Sequence, residues 1–123
     1  VFMKQYNKEE LIESLNVIDS TIRNCEKIHP KFSEGTSQHT LLKNRIKALY
    51  VSKALMNNEN TIEQYTKEDM LAALPPVVSI ISKSEKAQLK FAQGTGHHTR
   101  LNKIIKAMYL AKALIEDEIN NRV

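Results

Sequence analysis

The sequence contains little of what β-rich, disulfide-bonded or membrane-spanning proteins require. Its 123 residues include no tryptophan, three glycines, three prolines and one cysteine. Few glycines and prolines disfavour a fold of many strands and turns, and a single cysteine excludes an internal disulfide. No run approaches the roughly 20 apolar residues that a transmembrane helix needs. These absences predict a helical, cytoplasmic protein with no membrane segment, in which Cys25 is a small buried hydrophobic residue.

What the sequence does contain is an internal repeat. At an offset of 59, residues 6–59 align with residues 65–118 without a gap, and 23 of the 54 residue pairs are identical. Self-similarity of this kind is typical of a duplicated structural unit. We therefore predict a single domain over residues 3–123 that consists of two tandem copies of one unit.

Each copy has the pattern of a helical hairpin. Residues 7–10 and 66–69 have the spacing of a capping box, in which two polar side chains satisfy backbone donors at a helix start. A Gly-Thr turn then separates this first helix from a second one, near residues 38–57 in one copy and 97–119 in the other. In the first helix of the first copy, apolar residues recur at alternating spacings of four and three, which places them on one face: Leu11, Leu15, Ile18, Ile22 and Cys25.

Short connections between successive helices favour antiparallel neighbours. The sequence thus predicts an all-α fold, a four-helix up-down-up-down bundle built from two helical hairpins that a pseudo-twofold axis relates. Pro75 and Pro76 fall inside the third helix, where lost amide donors and steric clash predict a kink or a restart. Because neither hairpin can bury its apolar face alone, exchange of hairpins in a homodimer also remains open.

Basic residues are concentrated around the two Gly-Thr turns. Residues 23–47 carry six basic and two acidic side chains, and residues 83–106 carry six basic and one acidic, so together they hold +9. The net charge is +4, so the remaining residues hold −5. Each second helix begins at this basic end, where free amides and the helix dipole also favour anions. We predict an anion-attracting end, although matching of charges to helix dipoles explains the same pattern without a ligand.

Polar residues that both copies retain define the candidate site. A retained apolar pair needs only core packing, whereas a retained polar pair has no such simple explanation. On a helical wheel, those of each second helix share one sector with apolar neighbours. We predict a ligand-binding set of seven residues from each copy: Lys31, Thr36, His39, Thr40, Lys47, Tyr50 and Lys53, with Lys90, Thr95, His98, Thr99, Lys106, Tyr109 and Lys112.

Each of these residues also has a purely structural explanation. The threonines can cap helices, the lysine stems can lie along apolar surface, and the tyrosines can close the edge of a core. His39 and His98 can hydrogen-bond a neighbouring carboxylate, for which Glu26 and Glu85 are the candidates.

Three functional hypotheses follow from this pattern. The first is a non-enzymatic binding protein whose two Gly-Thr-x-x-His-Thr turns form one pseudo-twofold site for an anionic, phosphate-bearing ligand such as a nucleotide. The second is an interaction or inhibitor module that docks on an acidic protein partner. The third is a metal site of two glutamates and two histidines: Glu26, His39, Glu85 and His98.

Other classes of function are disfavoured. No Ser-His-Asp, Cys-His or paired-carboxylate arrangement is legible, so we predict no enzymatic activity. The Gly-Thr turns lack the Gly-Lys-Ser/Thr of a Walker loop, and no other motif indicates a cofactor. Nucleic acid is a weaker partner than a small anion or an acidic protein, because the net charge is only +4 and the chain has four arginines.

Overall fold

A computed structural model of the chain describes residues 7–57 and 63–122. These residues contain no β-strand and form four α-helices: α1 (Lys8–Ile28), α2 (Ser37–Asn57), α3 (Lys67–Gln88) and α4 (Gly96–Asn121). The predicted all-helical class and the number of helices are confirmed. The predicted domain bounds at 3 and 123, and the bounds of the first repeat at 6 and 59, lie outside the described residues.

Polar side chains cap the first helix of each copy. At the start of α1, Asn7 Oδ1 accepts a hydrogen bond from the Glu9 N–H at 2.8 Å. At the start of α3, the Thr66 hydroxyl accepts from the Asp69 N–H at 3.1 Å, and Asp69 Oδ2 accepts from the Thr66 N–H at 2.9 Å. This reciprocal pair is the capping box predicted for the second copy, whereas in the first copy the cap consists of the Asn7–Glu9 bond without the predicted reciprocal bond. Each cap satisfies amides that the helix itself leaves unbonded.

The Gly-Thr turns have the same local geometry in both copies. Gly35 has a φ of 86° and Gly94 a φ of 88°, in the left-handed region that side chains with a β-carbon disfavour. The threonine that follows each glycine, Thr36 or Thr95, caps the next helix. Its hydroxyl accepts from the backbone N–H three residues further on, at 3.2 Å in both copies. Glycine therefore reverses the chain and threonine starts the second helix.

Helix α3 continues through Pro75 and Pro76 as one helix and does not restart there. The alternative outcome, a kink, stays a prediction. Because proline has no N–H, the carbonyl groups of Leu71 and Ala72 lack their usual donors four residues further on. Burial of Val77 and of neighbouring apolar residues in the core stabilises the helix in spite of this local loss.

The core lies among all four helices and has fully buried side chains from each of them: Ile18, Leu49, Met70, Met108 and Ile115. Consecutive helices contact each other, and so do α1 and α4. Helices α2 and α4 also meet across the core, whereas α1 and α3 make no close backbone contact within the described residues. In α2 the fully buried residues lie in its C-terminal half, from Ala48 onward, whereas Leu42 and Ile46 of the N-terminal half are partly buried against the core.

Within residues 7–57 and 63–122, no helix combines the length and the apolar character that crossing a bilayer requires.

Candidate functional site

The tyrosines that both copies retain join the two helices of their own hairpin. The Tyr50 hydroxyl donates to Glu26 at 2.9 Å, and the Tyr109 hydroxyl donates to Glu85 at 3.2 Å. Each carboxylate raises the pKa of its tyrosine, because it accepts a hydrogen bond from the neutral hydroxyl and would repel a phenolate. Both Tyr–Glu pairs therefore have a structural role that needs no ligand.

Two lysines of the predicted set form ion pairs, but the partners differ between the copies. Lys53 Nζ lies 3.1 Å from Asp19 Oδ1, which links α2 to α1. Its counterpart Lys112 lies 3.8 Å from Glu116 Oε2, one turn further along its own helix. The difference follows from the sequence, because Val78 stands on α3 where α1 has Asp19.

His39 and His97 stack on aromatic rings that precede the Gly-Thr turn of their own copy. The backbone carbonyl of His98, the counterpart of His39, accepts a hydrogen bond from Gln88 at 3.3 Å. The ring centroids of His39 and His29 lie 4.1 Å apart with an interplanar angle of 29°. Glu26, the expected partner of His39, accepts a tyrosine hydroxyl instead. In the second copy His97 stacks on Phe91 with centroids 4.8 Å apart. The repeat predicted no role for His29 or His97, because different residues stand at the matching positions of the other copy.

A metal site would require four side chains to converge: Glu26, His39, Glu85 and His98. Across the described ranges, no group of three or more histidine, cysteine or acidic residues is placed to hold a metal ion. Both glutamates accept tyrosine hydroxyls. The metal hypothesis therefore has no geometric support in this part of the chain.

The rest of the predicted set lies at the surface or in the caps. Lys31, Thr40, Lys90 and Thr99 are exposed. The capping threonines also donate their hydroxyls to backbone carbonyls three residues earlier, at 2.7 and 2.8 Å. In the described part of the chain, no hydrogen bond or ion pair joins a predicted site residue of one copy to one of the other. A shared pseudo-twofold cleft stays a prediction.

Lys47 differs from the rest because it borders a groove between the two hairpins. Its Nζ lies 2.8 Å from Asp69 Oδ1, and this ion pair links α2 to α3. The cavity beside it has a volume of about 510 Å³. Helix α2 lines it with Leu41, Asn44, Arg45, Lys47 and Ala48. Helix α3 lines it with Asp69, Ala72, Ala73, Pro75, Pro76, Ser79 and Lys83. We name this cavity the α2–α3 groove.

The charged residues of the α2–α3 groove are mostly basic: Arg45, Lys47 and Lys83 against Asp69. The Lys47 ammonium donates to the Asp69 carboxylate and, with the Thr66 N–H, lowers the pKa of that carboxyl. Neither Arg45 nor Lys83 forms an ion pair with an acid of residues 7–57 or 63–122. An anion that enters the groove therefore meets two cations without carboxylate partners, beside alanine and proline side chains.

The same positions in the other half of the molecule are closed. There α1 and α4 meet around a cavity of only about 10 Å³, which we name the α1–α4 contact. It is lined by Glu10, Glu13, Ser14, Lys103 and Lys106. At the offset of 59, these residues are the counterparts of Asp69, Ala72, Ala73, Asn44 and Lys47 in the α2–α3 groove. Shorter side chains on α3 accompany the wider cavity.

Most groove residues lay outside the predicted set because the two copies differ there. The prediction selected polar residues that both copies share, and Lys47 is its one member in the groove lining. Arg45 and Lys83 do not meet that criterion, because their counterparts are Ile104 and Asn24. The signal that would have found them is a charge present in one copy and missing from the other.

No protein-family model, curated protein or solved structure matches this chain. The fold and the site define a four-helix protein with a basic, partly apolar groove between α2 and α3. A functional assignment therefore depends on the geometry and charge of that groove.

Proposed function

We propose that this chain is a non-enzymatic binding protein whose α2–α3 groove takes an anionic ligand. The observation that carries the proposal is a groove of about 510 Å³ bordered by Arg45 and Lys83, neither of which has a carboxylate partner in the described chain. Ligand pockets have volumes of about 300–1,000 Å³ and combine apolar walls with a few polar anchors. The groove has both properties.

The position of the two cations favours binding of an anion. Both line the groove, where Arg45 is partly buried and Lys83 is exposed. Coulomb attraction is several times stronger near a protein surface than in bulk water, because the effective dielectric constant is lower. The planar guanidinium of Arg45 can also donate two parallel hydrogen bonds to a carboxylate or a phosphate.

A role without catalysis is supported by the directions of the pKa shifts. Burial raises the pKa of the Cys25 thiol, and neighbouring carboxylates raise the pKa of Tyr50 and Tyr109. Each shift disfavours the ionised, nucleophilic form of the side chain. The proposed function needs no cofactor. We also propose a reducing, cytoplasmic setting, which suits the buried thiol of Cys25.

The Gly-Thr turns are the second candidate site for the same kind of ligand. Exposed Lys31 and Lys90 lie near them, and the first turns of α2 and α4 favour anions. We prefer the α2–α3 groove because its lining combines cations with apolar side chains, whereas the hydroxyls of Thr36 and Thr95 are engaged in capping. A phosphate-bearing ligand such as a nucleotide suits either site.

Thermal unfolding with inorganic phosphate, ATP or a poly-glutamate peptide tests the proposal. A ligand at ten times its Kd stabilises the folded state by about 1.4 kcal/mol, which raises Tm by several degrees. The double variant Arg45→Ala, Lys83→Ala should lose this rise, and the matched control Lys31→Ala, Lys90→Ala should keep it. The reverse result would assign the site to the Gly-Thr turns. No rise with any of the three anions would contradict anion binding.

A further inference from the structure

The α1–α4 contact indicates which chemical group fits the α2–α3 groove. In that contact, the side chains of Glu13 and Lys106 line the same small cavity. At the matching positions of the groove stand Ala72 and Lys47, so the carboxylate of Glu13 has no counterpart there, while Lys47 is paired with Asp69. Arg45 adds a further positive charge. The groove is therefore complementary to a carboxylate supplied from outside.

Exposed apolar side chains lie on the face of α3 beside the groove, and Pro75 belongs to both. Leu71, Pro75 and Val78 follow at spacings of four and three, so they share one face of the helix. Leu71 is 48% exposed, Val78 is 45% exposed, and Leu41 in the groove lining is 66% exposed. On α1 the counterpart of Val78 is Asp19, so only one copy carries this strip. Contiguous apolar surface of this kind marks a site of protein interaction.

The groove is also longer than a small anion. Its lining on α3 runs from Asp69 to Lys83, which corresponds to about 21 Å at about 1.5 Å per residue. A phosphate group would reach one or two cations and leave Leu41 and the apolar strip in water. A helix of about four turns, with apolar residues every three or four positions, covers the groove and the strip together.

We infer that the occupant of the α2–α3 groove is an acidic amphipathic helix of a partner protein. Its apolar face packs on Leu41, Ala72 and the strip that begins at Leu71, and its carboxylates bind Arg45 and Lys83. The inference rests on the proposed anion-binding function of this groove. It narrows the ligand from any anion to a carboxylate-bearing helix.

Ala72 provides the sharpest test, because it lines the groove, is exposed and has Glu13 as its counterpart. Ala72→Glu reproduces the side chain of the closed contact, so it fills space in the groove and adds a negative charge there. Glutamate and alanine are both good helix formers, so α3 should be preserved. Asn16→Glu is the matched control, because it changes the charge equally at an exposed position of α1, on the other hairpin and outside the groove lining.

The experiment is a selection of random 16-residue peptides, displayed on phage, against the full chain. We expect the enriched peptides to carry apolar residues at helical spacing, flanked by Asp or Glu. Synthetic versions should bind the wild-type and Asn16→Glu chains equally, and the Ala72→Glu chain at least tenfold more weakly. They should shift the backbone NMR signals of the groove residues on α2 and α3.

The contrary outcomes separate this inference from the proposed function. Enrichment of basic or non-periodic peptides, or equal binding to the Ala72→Glu chain, overturns the helix as occupant. If ATP shifts the groove signals and no peptide does, anion binding stands and the helix fails. If neither ATP nor any peptide shifts them, both fail. Should circular dichroism show that Ala72→Glu is unfolded, the exposed substitution Lys83→Glu makes the same test.

Discussion

The α2–α3 groove and the α1–α4 contact occupy matching positions, yet one is open and the other is closed. Their cavities measure about 510 and about 10 Å³. Ala72 stands opposite Glu13 in the alignment of the two copies, and Pro76 stands opposite Val17. A few changes of side-chain size therefore accompany the opening of a ligand-sized space between two helices that otherwise resemble their counterparts.

The positions that the copies share have a different role. Tyr50 and Glu26 form the same hydrogen bond as Tyr109 and Glu85, and each bond lies within one hairpin. The turns and the threonine caps also agree between the copies. Several shared polar residues stabilise their own hairpin, and most of the residues that line the groove differ between the copies. Three substitution experiments can break or sharpen this comparison.

The largest effect is expected from leucine at the matched pair Ser14 and Ala73, which are both buried and line their respective cavities. Ser14→Leu overpacks the closed contact and should lower the free energy of unfolding by about 1–3 kcal/mol. Ala73→Leu should cost clearly less, because the added atoms can extend into the groove. Urea unfolding of both variants measures the difference. Equal losses would mean that the groove offers no usable space.

Glycine replacement in the turns should affect both copies by the same amount. Gly35→Ala and Gly94→Ala place a β-carbon on backbone with φ of 86° and 88°, at a cost of about 1–2 kcal/mol each. The added carbon meets no atom within 4 Å at either position, so the cost is one of backbone conformation alone. Thermal unfolding of the two variants tests whether both lose the same amount of stability. A clear inequality would show that the hairpins differ in their turns as well as in their grooves.

The smallest effect concerns the dependence of stability on pH at the Lys47–Asp69 ion pair. The pKa of Asp69 is lowered in the folded protein, chiefly by the hydrogen bond from Lys47. The resulting stabilisation is therefore fully present above the unfolded pKa of about 3.9 and is lost as the pH falls through the folded pKa. Lys47→Met should slightly lower the free energy of unfolding near pH 7. It should also reduce the amount by which that free energy falls between about pH 5 and pH 2.

The counterpart variant Lys106→Met serves as the control for this experiment. Lys106 forms no ion pair within residues 7–57 and 63–122. Its replacement should leave the acid limb of the stability profile unchanged, as followed by urea unfolding at several pH values. If both variants changed the acid limb equally, the effect would reflect net charge and not the Lys47–Asp69 ion pair.

Much of the fold could be predicted because its signals are local. The capping box of Thr66 and Asp69 joins residues three apart, and the turns at Gly35 and Gly94 depend on one backbone angle each. The apolar stripe of α1 also behaved as expected, since Ile18, Ile22 and Cys25 are buried. The proline pair was misleading in one respect, because α3 does not restart there and buried neighbours stabilise the helix through it.

The candidate site could be predicted only in part. Lys47 belonged to the predicted set and lines the α2–α3 groove, whereas Arg45, Ala72 and Lys83 did not belong to it. Comparison of the copies could show that these positions differ. It could not show that they face one space, because they come from two different helices.

The sequence by itself determined where the helices start and end, which faces are apolar and which positions the two copies share. Those properties depend on residues a few positions apart, so the order of amino acids contains them. Only the tertiary structure decided that Glu26 accepts a hydrogen bond from Tyr50. It also decided that α2 and α3 leave a groove between them, whereas α1 and α4 pack closely at the matching positions. The space between two helices depends on side chains from both helices and on how closely their backbones approach. The order of residues along the chain shows neither of these properties directly.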